Sequence, residues 1–207
     1  MRMFLASTLS DTIDLFVLRA GINNSRVLFV ANPADPFKSK RWVNKDRKAF
    51  LSHGFEVEDV DFRRITSVEF KKRMKEFDIL HICGGSALYI LKLLKDKKMF
   101  MVIKNAINNN QIIYTGTSAG SMIMAPNISF ACDDEDEQKA GMVGKLKDMD
   151  GIGLSPFYIM CHAQEKEYIP STIRNMNKLH KNKLPILFLN DNMALWFEGK
   201  KIEFLKN

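Results

Sequence analysis

Short apolar runs and amphipathic stretches alternate along this chain, and that alternation restricts the possible folds more than any other feature. Arg26-Val-Leu-Phe-Val-Ala31 has the makeup of a buried strand, and a turn region with Pro33 and Pro36 follows it. From Lys40 to His53 the apolar residues Trp42, Val43, Phe50 and Leu51 fall at helical spacing, and Gly54 supplies a stop. Phe55 to Val60 alternates like a strand, and Thr66 to Glu76 repeats like a helix. Asp78-Ile-Leu-His-Ile-Cys83 is again strand-like and ends in Gly84-Gly85. Helices are predicted from about Ser86 to Leu94 and from about Lys98 to Asn108, then a strand near Gln111 to Tyr114. Beyond an acidic loop come a strand at Phe157 to Cys161 and a helix at Pro170 to Lys181. Three strand runs close the chain: Pro185 to Leu189, Ala194 to Phe197 and Lys201 to Leu205, the last two joined as a hairpin at Gly199-Lys200.

Strands separated by helices call for an α/β fold, a mostly parallel sheet with helices on both faces and here a C-terminal β-hairpin. Residues 1–207 read as a single domain, since this length fills one core and no linker or repeat interrupts it. In such sheets ligands bind beyond the carboxyl ends of the strands. Both glycine turns, Gly84-Gly85 and Gly116-Thr-Ser-Ala-Gly120, stand at such ends.

The second of these turns carries the chemistry. A serine on a sharp strand-to-helix turn has its hydroxyl pushed outward, while flanking glycines permit the tight backbone. Helix-start N–H groups near it can stabilise negative charge on an attacked carbonyl. Ser118 is therefore the candidate nucleophile, its bland alternative being a helix cap. A serine hydroxyl needs a base, and His162 directly follows a predicted strand. Of the other histidines, His81 sits inside a strand pattern and belongs to the core, whereas His53 and His180 lie at helix ends. An acid to orient His162 is sought in Asp133-Asp-Glu-Asp-Glu137, mostly a solvated charge run from which one of the first acids turns inward. Ala119 and the Gly84-Gly85 turn are candidate oxyanion donors.

Other functions find less support. The net charge of +7 is dispersed, as in Phe70 to Lys75 and Lys178 to Lys183, with no aromatic-interleaved basic motif for nucleic acid. No apolar run approaches the roughly 20 residues that span a bilayer, and the start lacks a signal-peptide pattern, so a cytoplasmic protein with no membrane partner is expected. Cys83, Cys132 and Cys161 read as reduced thiols, and the histidines lack metal-ligand spacing. Neither glycine turn has the lysine of a phosphate-binding loop.

The ordered set of motifs resembles peptidase family S51, which includes aspartyl dipeptidase (peptidase E) and more distantly cyanophycinase, within the class I glutamine amidotransferase-like fold. The segments that carry the likeness are Met3 to Thr8, Ile82 to Leu91, Gly116 to Gly120, Gly151 to Phe157 leading to His162, and Leu189 to Leu195. The resemblance implies Ser118 as nucleophile and His162 as base, with Asp133 as the acid and Asp134 in reserve. It also implies Gly85 and Ala119 as oxyanion donors, a small peptide substrate, and no cofactor or metal. Cys83 and Ser86-Ala87 depart from the family's Gly-Gly-Gly-Asn-Thr motif, which leaves side-chain preference open. A silent binding protein on the same fold is the alternative. A glutamine amidotransferase would need cysteine where this chain has Ser118.

Overall fold

A computed structural model describes residues 1–181 and 185–207. The end of the basic run Lys178 to Lys183 lies outside the described residues. Seven strands form the main sheet in the order β3-β2-β4-β5-β1-β8-β9. They are β1 (Arg2–Ala6), β2 (Arg26–Val30), β3 (Glu56–Asp59), β4 (Ile79–Ile82), β5 (Ile113–Thr117), β8 (Met193–Glu198) and β9 (Lys201–Lys206). The first five are parallel, and β8 and β9 add an antiparallel hairpin beside β1, with Gly199 at φ 60° in its turn. Two further strands, β6 (Tyr158–Met160) and β7 (Ile186–Phe188), pair parallel in a small separate sheet.

Alternation along each strand sends side chains into two cores. Phe4, Phe29, Ile79 and Ile113 face one side, where they meet helices α1 (Ile13–Ala20) and α2 (Arg41–Ser52) through Phe16 and Phe50. Met3, Leu28, Leu80 and Tyr114 face the other, packed by α3 (Ser67–Arg73), α4 (Ala87–Asp96) and α5 (Phe100–Asn108). Each such side chain taken fully out of water contributes about 1.5–3 kcal/mol before entropy is charged against it. Local signals set the boundaries. Thr66 and Glu69 form a reciprocal capping box at the start of α3, and Ser86 caps α4 by accepting from the Tyr89 N–H at 2.9 Å.

The remaining helices are α6 (Ala119–Met122), α7 (Glu135–Lys139) and α8 (Ile169–Lys181). The expected α/β architecture, parallel sheet and C-terminal hairpin are all present. One expectation changes in detail: the strand before His162 belongs to the separate β6–β7 pair, not to the main sheet.

Candidate active site

The turn between β5 and α6 is held from several directions. The Ser118 N–H donates to the Ala6 carbonyl at 3.1 Å, and the Ser121 hydroxyl donates to the carbonyls of Ala6 and Gly116 at 2.7 and 2.8 Å. Packing leaves no room for side chains at the two flanking glycines. A Cβ on Gly116 would lie 2.6 Å from Gly120, and one on Gly120 would lie 2.1 Å from the Ile82 carbonyl. Ser118 itself takes φ 47° and ψ −110°, a conformation that L residues adopt only under constraint. The backbone is thus bent sharply at the residue that carries the hydroxyl.

Beside it, the Gly84-Gly85 turn ends β4. A Cβ on Gly84 would sit 3.2 Å from the Ser118 Cβ, so the two turns touch. Gly85 has φ 141° and is pressed against the Pro33 carbonyl, which also accepts from the Ser86 N–H at 2.9 Å. Among the described residues, neither the Gly85 nor the Ala119 N–H is engaged in a hydrogen bond. Two free donors therefore flank Ser118.

His162 follows β6 and takes φ 56°. Its N–H donates to the Ser7 hydroxyl at 2.9 Å, and its Nδ1 lies 2.6 Å from Asp191 Oδ1. Ser7 donates to the same carboxylate oxygen at 2.8 Å and lies 3.2 Å from Nδ1. A carboxylate accepts only, so this contact places the ring hydrogen on Nδ1 and leaves Nε2 with its lone pair in the neutral imidazole. Burial raises the Asp191 carboxyl, but His162, Ser7 and Lys45 outweigh it and hold the group below its ordinary value. Tyr168 stacks on the imidazole with centroids 5.0 Å apart and donates to Asp136 at 3.0 Å. Ser118, Gly85, His162 and Asp191 all line one cavity of about 390 Å³. In this geometry Ser118 and His162 share the cavity without a direct hydrogen bond among the described residues.

A model of the family described as Peptidase family S51 matches residues 4–205. The chain belongs to peptidase family S51. It is accordingly a peptidase. Relatives align along nearly its whole length. The uncharacterized peptidase PM1590 of Pasteurella multocida (strain Pm70) is 26% identical over 195 residues, covering 94% of this chain and 92% of that protein. The uncharacterized peptidase Lmo0363 of Listeria monocytogenes is 23% identical over 201 residues, 97% of this chain and 96% of that one. The fold recurs in a crystal structure from Listeria monocytogenes EGD-e provisionally named a peptidase E protein. Its TM-score is 0.88 at 22% identity, covering 100% of this chain and 98% of the other. A peptidase from an acI-B1 Actinobacterium shares the fold with a TM-score of 0.68 at 14% identity, covering 100% and 87% of the two chains.

The acid in hydrogen-bond contact with His162 is Asp191, where the sequence reading expected Asp133. The Asp133 carboxylate is paired with Lys178 at 2.6 Å, its carbonyl accepts from Arg174, and it does not line the cavity. Asp134, the reserve, accepts from Asn175 at 2.7 Å, and burial pushes its carboxyl up to about 7. Neither is hydrogen-bonded to His162. The small sheet explains Asp191. Strands β6 and β7 run parallel with Met160 opposite Phe188, so the residues just past both strands emerge at one edge. The Leu189 N–H donates to the Met160 carbonyl, and the Ala163 N–H to the Leu189 carbonyl, which fixes that edge. The available signal was an acid following a strand run, as His162 does.

Sequence reasoning also passed over Ser7, at the end of β1, and Glu137. Glu137 is buried and accepts from the Ser86 hydroxyl at 2.5 Å and from the Ala87 and Leu88 N–H groups at 2.5 and 3.1 Å. It ties α7 to the start of α4, next to Gly85. Burial nevertheless pushes its carboxyl up to about 7. His81 is fully buried, as expected of a core residue. His53 bonds the Ala49 carbonyl at the end of α2, and bonding to Asp14 and that carbonyl raises its pKa. Among the described residues no cluster of histidine, cysteine, aspartate and glutamate suits a metal, and no helix is long and apolar enough to cross a membrane.

Proposed function

We propose that this S51 peptidase is a serine-type hydrolase that cleaves small peptides or related amides through Ser118, His162 and Asp191. The observation that carries the reading is the 2.6 Å contact of His162 Nδ1 with Asp191, in one cavity with a conformationally strained Ser118. That contact leaves Nε2 as the nitrogen able to accept a proton from the serine. Ser118 Oγ attacks the substrate carbonyl as Nε2 takes its proton, and Asp191 balances the imidazolium that forms. The free N–H groups of Gly85 and Ala119 stabilise the oxyanion. The imidazolium then protonates the leaving amine, and water activated by the same nitrogen releases the acyl-enzyme. No cofactor enters this chemistry. A cavity of about 390 Å³ suits a few residues of peptide rather than a folded protein.

Treatment with a fluorophosphonate probe, followed by peptide mapping, tests the reading. Wild type is expected to carry the adduct on Ser118, and Ser118→Ala is expected to carry none. A folded wild type that takes no label and hydrolyses nothing in a dipeptide and blocked-peptide library would point instead to a binding protein on this fold.

A further inference from the structure

The cavity that holds Ser118 has a buried carboxylate on its wall that the proposed chemistry does not use. Asp46, on α2, is 4% exposed yet lines the cavity. Its Oδ2 is committed, accepting from the Thr117 hydroxyl at 2.7 Å with His81 Nε2 behind it at 3.4 Å. His81 Nε2 makes no hydrogen bond there, while its Nδ1 is taken by Thr115 at 2.9 Å. Asp46 Oδ1 accepts from no group among the described residues, and none of their lysines or arginines pairs with the carboxylate. Buried carboxylates are ordinarily paired, because an ion taken out of water needs a compensating charge. Here the open oxygen belongs to a cavity-lining residue. The place is also close to the reacting centre, because Thr117 immediately precedes Ser118 in the chain.

We propose that Asp46 is a binding site for a primary ammonium group of the substrate. The inference rests on the hydrolase reading above and adds to it what the substrate must carry. Two sources supply the same chemistry: the α-amine of the residue whose carbonyl Ser118 attacks, and the side-chain amine of a lysine there. In either case a neutral or acylated nitrogen gives Asp46 Oδ1 no cationic partner. A hydrogen-bonded ionic contact of this kind is worth about 10- to 100-fold in selectivity.

Diphenyl phosphonate analogues of alanine, with a free and with an acetylated amine, test the site through their inactivation rates. The N-acetyl lysine analogue and a fluorophosphonate with no amine complete the set. Wild type is expected to react at least about 10-fold faster with an ammonium-bearing probe than with N-acetyl alanine. A fast free-amine alanine probe assigns the α-amine, and a fast N-acetyl lysine probe assigns the side chain. In Asp46→Asn, which keeps an acceptor for Thr117, the preference should collapse toward unity. Equal rates with all probes in wild type would overturn the proposal. So would an Asp46→Asn variant that slows every probe alike, since a merely structural role predicts that. If Asp46→Asn fails to fold, Asp46→Ser carries the same comparison. Should the fluorophosphonate leave Ser118 unlabelled, the hydrolase reading fails. The ammonium site is then decided by calorimetric titration with alaninamide, and binding by wild type alone sustains it while equal or absent binding rejects it.

Discussion

At the scale of single residues, the site depends on backbone positions that tolerate no alternative. Ser118 keeps a conformation costing of order 1–3 kcal/mol, which persists only because the surrounding hydrogen bonds overdetermine it. Gly120 is the tightest of these constraints, since any Cβ would strike the Ile82 carbonyl at 2.1 Å. Gly120→Ala should therefore destabilise by about 1–3 kcal/mol or more. Calorimetry should show Tm lowered by roughly 2–12 °C; an unchanged Tm would mean the strand and turn are less closely packed than described. Asp191 allows a prediction on pH. Its carboxyl is held below the ordinary value, so the stability it adds is fully present above the unfolded-state pKa near 4 and is lost as pH falls through its lowered folded value. Asp191→Asn should flatten that acid limb of the stability curve, whereas an unaltered limb would show that the pair contributes no stability. The sequence could not single out Asp191, because nothing local distinguishes it from Asp133. What separates them is position in space: one stands past the end of β7 beside His162, the other is turned to Lys178.

At the scale of elements, most segments with an apolar pattern of their own were legible, the short β6 and β7 among them, whereas α1 and α7 were not read. The strands β2, β3 and β4 and helices α2 to α5 carry their own periodicity, and their predicted ranges agree with the structure to within a few residues. Helix α7 has no apolar stripe to read, since Glu135-Asp-Glu-Gln-Lys139 is polar throughout. It exists because Glu137 is drawn into the start of α4, a tertiary contact that sequence pattern cannot show. The pairing of β6 with β7 was hidden for a similar reason, because strands of three residues take their partners from packing. Glu137 has a raised carboxyl, which reverses the sign of the Asp191 case. Its contribution to stability is fully present below the unfolded pKa near 4.5 and is lost as pH rises toward about 7. Glu137→Gln should therefore reduce the decline in stability over that window, by something on the order of 1–3 kcal/mol, in urea melts run from pH 4.5 to 8. A decline of equal size in both proteins would remove Glu137 as its source. Asp134 and His53, raised in the same direction, contribute to the part that remains.

At the scale of the whole molecule, the sheet order brings distant segments to one rim. Strands β4, β5 and β1 are adjacent, so the Gly84-Gly85 turn, Ser118 and Ser7 meet at their carboxyl ends. The small β6–β7 sheet then delivers His162 and Asp191 to Ser7, across 155 and 184 residues of chain. The general location of this rim follows from the alternation of strands and helices, and Ser118 and His162 follow from the turns that end their strands. The acid that contacts His162 depends on the placement of a separate sheet, and there the sequence reading named Asp133 while the structure sets Asp191 against the ring. The central claim is that Ser118, His162 and Asp191 act as one unit. It is tested most directly by peptide turnover in Asp191→Asn and Asp133→Asn, measured beside wild type on a common substrate. The account predicts a loss in kcat of about 10²–10⁴-fold for Asp191→Asn, with the fold intact, because the imidazole loses the group that fixes its tautomer. For Asp133→Asn it predicts activity within about 3-fold of wild type, as expected of a partly exposed ion pair. The opposite ranking, with Asp133→Asn inactive and Asp191→Asn near wild type, would contradict it.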